Sequence, residues 1–169
     1  MMMLYHPIHD VNHCTYRIIR LLETSRHSIF SWEQVRLFDF YSLFPQALKD
    51  IKPFPKALLR YKNILAHIPD AYESMPNEHR IMFQLMPIQN TAIHNLLAKD
   101  LIDNAIYKDH NISRSKKPLP RALLNSIHDD PVTEQDWFYF IAEELPMIDF
   151  EGKKGLKFRS DLLEYRYDG

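Results

Sequence analysis

The residues best suited to chemistry sit at the start of the chain, where His6, His9, Asp10 and His13 are followed by Cys14. In a helix these four side chains fall within about 100° of one another on the wheel. His9 and His13, at i and i+4, have the spacing with which paired imidazoles hold one cation. Cys14 is turned away from His9, however, and no second motif supplies further ligands. One reading is a small metal-dependent enzyme using His6, His9, Asp10 and His13; the other is a polar helix face, and the residues alone assign no metal. Nucleophilic chemistry has less support. Cys14 lies near the apolar edge of its helix, where a free cysteine is a small core residue. Asp129–Asp130 and Glu143–Glu144 are neighbours in sequence that do not share a helical face. All three glycines (Gly152, Gly155 and Gly169) fall in the last eighteen residues. The preceding 151 residues therefore lack the one residue that lets a backbone wrap phosphates closely, which excludes a P-loop, a dinucleotide fingerprint or a nucleophile elbow there. The expectation is a protein with no catalytic group and no cofactor site of its own.

Charge is sorted along the chain despite a net charge of only −1. Residues 113–121 carry Arg114, Lys116, Lys117 and Arg121 without an acid. Residues 122–152 carry eight acids and no Lys or Arg, and residues 153–159 carry Lys153, Lys154, Lys157 and Arg159 without an acid. Either these blocks neutralise one another across the surface, or they form a basic strip for an acidic partner or nucleic-acid backbone beside an acidic face for a basic one. The second reading makes Arg114, Lys116, Lys117, Lys153 and Lys154 candidate contacts to a partner or to DNA phosphates.

The elements that must position these residues are mostly helical. An apolar content of 46% over 169 residues suffices for a core, and a single cysteine excludes an internal disulfide. With no signal-peptide pattern and no membrane-length apolar run, a soluble cytoplasmic protein of one domain is expected. Helices are predicted over residues 7–25, over 32–44 with Ser31 and Gln34 as a capping box, and over 55–67. Further helices are expected at 78–86 and, after a break at Pro87, at 88–99. Residues 101–106 are rich in β-formers, a polar turn follows at 108–111, and a return strand is expected at 112–113. After a linker at 116–120 come helices at 119–127, at 133–144 capped by Thr133, and at 156–165.

This order predicts a mainly α fold with a winged-helix-like core at about 78–115. The helix–turn–helix would be 78–86 and 88–99 and the hairpin wing 101–113, with helical N- and C-terminal additions, the latter over about 118–169. The second helix of that unit would bury Ile88, Ala92, Ile93, Leu96 and Leu97 and present Asn90, Thr91, His94, Asn95 and Ala98. Amides can read adenine, but an arc without Arg neutralises almost no phosphate. Asn90 and His94 are thus candidate partner contacts, or simply a solvated face. A winged-helix transcription regulator remains an alternative. In the tail, Phe158, Leu162 and Tyr165 either lie on the core or form a docking element.

Several stretches together carry a family resemblance: YHPIHDVNHCTYRIIRLLE at 5–23, RLFDFYSLFP at 36–45, IKPFP at 51–55, YESMPN at 72–77, IQNTAIHNLLAKDLID at 88–103 and GKKGLKFRSDLLEYRYD at 152–168. The chain resembles the small middle component of bacterial ABC-three-component systems, related to Lamassu-type phage defence. The resemblance spans nearly the whole chain and contains no catalytic signature. It implies a non-enzymatic adapter that links an SMC-like ABC ATPase to an effector, often a nuclease; weak DNA-backbone contact is expected from the placement of the bases alone, and no membrane partner from the lack of a membrane-length apolar run. The absence of a phosphate loop fits a system in which another subunit hydrolyses ATP.

Overall fold

The computed structural model describes residues 7–70 and 77–163. The chain is mainly helical. A short 3-10 turn (Pro7–His9) leads into α1 (Val11–Thr24), whose N-cap is Asp10: its carboxylate accepts from Asn12 N and His13 N. Strand β1 (Phe30–Ser31) runs directly into α2 (Trp32–Leu43). The predicted capping box is present, with Gln34 N donating to Ser31 Oγ at 3.0 Å and Ser31 N donating to Gln34 Oε1 at 2.8 Å. As its all-round apolar sequence demands, α2 lies in the middle of the core, burying Val35, Leu37, Phe38, Phe40 and Tyr41. The predicted helix at 55–67 is a 3-10 turn (Lys56–Tyr61) followed by α3 (Lys62–Ala66).

The expected break at Pro87 does not occur. Helix α4 runs unbroken over Glu78–Ala98 with Pro87 inside it. An interior proline costs about 3 kcal/mol through its missing N–H and ring clash. Burial of Met82 and Leu85 before it and Ile93 and Leu96 after it, all 1% exposed or less, outweighs that at about 1.5–3 kcal/mol per side chain. The helix–turn–helix assigned to 78–99 is therefore corrected to one 21-residue helix, packed along α1 and against α2.

The wing is also redrawn. Residues 101–106 do not form a strand: Asp103 caps a helical turn, α5 (Asn104–Tyr107), accepting from Ala105 N and Ile106 N at 2.9 and 3.1 Å. Ile102 alone makes a bridge, antiparallel to Arg114. Strand β2 (Asn111–Ile112) finds its main partner far back in the chain, in β1, with Phe30 opposite Ile112 and Ser31 opposite Asn111.

The C-terminal part comprises α6 (Arg121–His128), a 3-10 turn (Pro131–Glu134), α7 (Asp136–Tyr139), a π-turn (Phe140–Glu144), and α8 (Leu156–Ser160). Thr133 is not a cap: it lies in the 3-10 turn, which Asp130 caps by accepting from Val132 N at 2.9 Å, and α7 starts after Gln135 with no side-chain cap. Phe138, Phe140, Ile141, Leu145 and Leu156 complete the core. Phe158 points to solvent at 57% exposure, whereas Leu162 is buried. Helix α8 stops at Asp161, in the left-handed region (φ 53°). Tyr165 and the end of the predicted last helix lie outside the described residues, as does His6. Among the described residues, no helix is long and apolar enough to cross a membrane.

Candidate functional site

What fixes α4 is a closed polar joint at the crossing of α1, α2 and α4. Arg17 of α1 forks onto Asp39 of α2, Nε to Oδ1 at 2.7 Å and Nη2 to Oδ2 at 3.2 Å. Gln89 of α4 donates to Asp39 Oδ2 at 2.9 Å and to the Arg36 carbonyl at 3.1 Å. Cys14 Sγ lies 3.6 Å from Asp39 Oδ2, and burial, then the carboxylate, pushes its thiol far above its usual range. Each of these side chains is nearly inaccessible to water, so the cluster works as a joint between helices. By helical period alone Arg17 falls on the same side of α1 as His9 and His13, a polar face. The available signal was Asp39, an acid inside a helix apolar on most sides, which must find a buried cation.

Held this way, α4 presents an outward arc. At 100° per turn-step, Arg80, Gln84, Pro87, Thr91, His94 and Ala98 fall within about 80°, all exposed, with Asn90 and Phe83 exposed along one margin. The continuity of the helix adds Arg80 at one end; Lys99 lies at the other. Asn90 and His94 are therefore where the sequence put them, on a nearly uncharged surface. The His94 ring meets Tyr107 edge-on at 6.4 Å. Asn95, expected on this arc, is half-buried.

The predicted basic residues separate into two kinds. Arg114 is a staple: its guanidinium donates to Glu23 at 2.8 Å, to the Leu101 carbonyl and to the Lys117 carbonyl at 2.8 Å. Lys117 Nζ donates at 2.9 Å to the Lys99 carbonyl, answering the negative end of α4. Lys116 beside them is exposed, as are Lys153 and Lys154 in the turn before α8. That turn is tied elsewhere, through Arg159, which donates to the Lys154 carbonyl at 2.6 Å and to the Pro53 carbonyl. Among the described residues, the 114–117 group is held by Glu23 and by the carbonyls at 99, 101 and 117, whereas the turn at Lys153 and Lys154 is held against Pro53. Among the described residues, the ion pairs of the acidic block at 122–152 run to other elements. Asp130 is met by Arg20 (2.9 Å) and Tyr16 (2.7 Å), and Glu144 by Arg60 and Tyr61, whereas Arg114 and Lys157 pair with Glu23 and Glu33. Burial would raise the Asp130 pKa, but hydrogen bonds from Tyr16, Val132 N and Arg20 hold it below the usual value.

At the N-terminus, Asp10 is committed to capping α1, and its second oxygen is 3.9 Å from the exposed His13 ring. Among the described residues no three His, Cys, Asp or Glu side chains converge as metal ligands.

A family model for the ABC-three component (ABC-3C) system Middle Component 5 matches residues 3–168. The chain belongs to this family. No curated protein and no solved structure matches it. The match covers nearly the whole chain, in agreement with the resemblance carried by the stretches at 5–23 through 152–168.

One feature of this middle component escaped the sequence reading. A cavity of about 480 Å³ opens between the segment 51–54 and α3, lined by Lys49, Lys52 and Lys62 around Ile51, Phe54 and Leu65. Its signal was present, since residues 51–69 hold four bases (Lys52, Lys56, Arg60, Lys62) and no acid.

Proposed function

We propose that this middle component is a non-enzymatic adapter in a defence system, linking an SMC-like ABC ATPase to an effector such as a nuclease. The supporting observation is the outward arc of α4, an exposed and nearly uncharged face carrying Thr91 and His94 with Phe83 and Asn90 at its margin. Interface centres are depleted of charge and enriched in aromatics, so this face suits a protein better than a phosphate backbone. We read α1, β1, α2, α4, the Ile102 bridge and β2 as one winged-helix-type unit within a single domain. Its third helix is α4, and its wing is anchored by Arg114. The winged-helix reading thus moves from 78–115 to a unit that begins at α1 and carries residues 45–77 as an insertion. The ionisable residues of the joint serve packing, which supports a coupling rather than a catalytic role.

A test is co-expression with the ABC ATPase of its system. The expected outcome is co-elution at micromolar concentration, lost on Asn90→Arg/His94→Glu, a double change on exposed positions that leaves the core untouched. A chain that elutes alone beside its ATPase sinks the reading.

Contact with DNA backbone is a second reading, favoured by the grouping of Lys99, Lys116 and Lys117 at one end of α4, where the Lys117 ammonium meets the Lys99 carbonyl. It predicts weak, sequence-independent binding that fades with salt. A transcription regulator would instead select one sequence at nanomolar affinity. A gel shift over a salt series with competitor DNA separates the two.

A further inference from the structure

We propose that the cavity between residues 51–54 and α3 is a binding site for a small amphipathic anion: an apolar ring system or short chain bearing one phosphate, sulfonate or carboxylate. The inference is independent of the adapter reading.

The floor is apolar and fixed. Ile51 and Leu65 are 2% and 1% exposed, and so belong to the core on their inner sides. The Phe54 ring lies nearly parallel to Phe140, at 12° and 6.0 Å between centroids, which sets its orientation. The wall at 52–53 is clamped from outside, because Lys52 N donates to the Arg159 carbonyl at 3.0 Å while the Arg159 guanidinium donates back to the Pro53 carbonyl. A pocket of about 480 Å³ is within the range that takes a small organic molecule, roughly 300–1,000 Å³, and its walls are already in place.

The rim is cationic. Lys49 is committed, with Nζ donating to the Ile68 carbonyl at 2.9 Å and to Asp70. Lys52 and Lys62 are exposed and make no ion pair among the described residues. Their stems can lie along the apolar wall while their ammonium groups stay at the mouth. Two uncompensated cations over an apolar floor discriminate by chemistry. Inorganic phosphate would use only the rim, and an uncharged hydrocarbon only the floor. A molecule that is apolar at one end and anionic at the other uses both.

The test uses the full chain with 2-naphthyl phosphate as probe, and inorganic phosphate and 2-naphthol as half-probes. Binding is followed by calorimetry and by amide shifts of Ile51, Leu65 and Ala66. The expected result is a Kd at least 10-fold lower for the naphthyl phosphate than for either half-probe. Lys52→Glu/Lys62→Glu should raise that Kd by at least 10-fold and leave 2-naphthol binding unchanged. Ala66→Trp, introduced at the exposed edge of α3, should block both aromatic probes, with circular dichroism confirming the native fold. Naphthyl phosphate binding that moves none of the three amides, or that survives both variants unchanged, overturns the proposal.

Discussion

Asp39→Ala removes the acceptor on which the joint between α1, α2 and α4 depends. The Arg17 side chain is 7% exposed and its partner 1%, so water cannot replace the carboxylate. The variant strands a guanidinium that made bonds of 2.7 and 3.2 Å, one of the two hydrogen bonds from Gln89, and the weaker donor Cys14. Breaking a buried pair by deleting one partner costs about 3–5 kcal/mol. That is a large share of the roughly 5–15 kcal/mol by which a domain is stable. At about 2–4 °C per kcal/mol for a chain of this size, the melting temperature should fall by about 6–20 °C. With an m-value of about 2 kcal/mol/M, the urea midpoint should fall by about 1.5–2.5 M. Trp32 and Trp137 provide the fluorescence signal. The control is Arg17→Met/Asp39→Leu, which replaces both charges with apolar volume and should recover most of the loss. A drop of less than about 1 kcal/mol for Asp39→Ala, or a double variant no better than the single one, would refute the view that an uncompensated buried charge governs this joint.

Other outcomes follow from the same reasoning. Pro87→Ala should stabilise the protein by about 1–3 kcal/mol, since it restores a donor inside a continuous helix; were residues 78–86 and 88–99 separate helices, the same change in urea melts would be destabilising. Burial, then the neighbouring Asp50 carboxylate, raises the Glu78 pKa to about 7. An acid raised above its unfolded value binds more protons in the native state, so stability should fall as pH rises from about 4.5 through 7, and Glu78→Gln should flatten that slope in melting curves. Gly155→Ala would place a Cβ 2.3 Å from the Glu151 carbonyl oxygen and 2.4 Å from that of Phe150. Displacing two backbone groups should cost about 1–3 kcal/mol by thermal melting, whereas Gly152 has nothing within 4 Å and is constrained only by its φ of +89°.

Much of this architecture was local enough to read from the chain. Ser31 and Gln34 cap α2 because both partners lie within four residues, and Ala92, Ile93 and Leu96 of α4 are buried as their period requires, with Ile88 and Leu97 partly so. The lack of a phosphate-wrapping loop through the first 151 residues is likewise a matter of residue type alone. Exposure of Asn90, His94, Lys116, Lys153 and Lys154 followed from helical period and charge.

Tertiary structure decided whatever depended on distant partners. Pro87 is a break by local rule, but burial on both sides of it keeps α4 whole. Residues 101–106 have strand propensity, yet a cap at Asp103 turns the chain helical from Asn104, and β2 pairs about 80 residues back in the chain, Phe30 with Ile112 and Ser31 with Asn111, with a segment too short to announce itself. Arg17 and Arg20 look like surface cations until Asp39 and Asp130 arrive from other elements. Arg114 looks like a free phosphate contact until Glu23 and the carbonyls of Leu101 and Lys117 claim it. Charge and propensity are properties of a residue, whereas whether a charge is spent or available depends on what the folded chain places within about 3 Å of it.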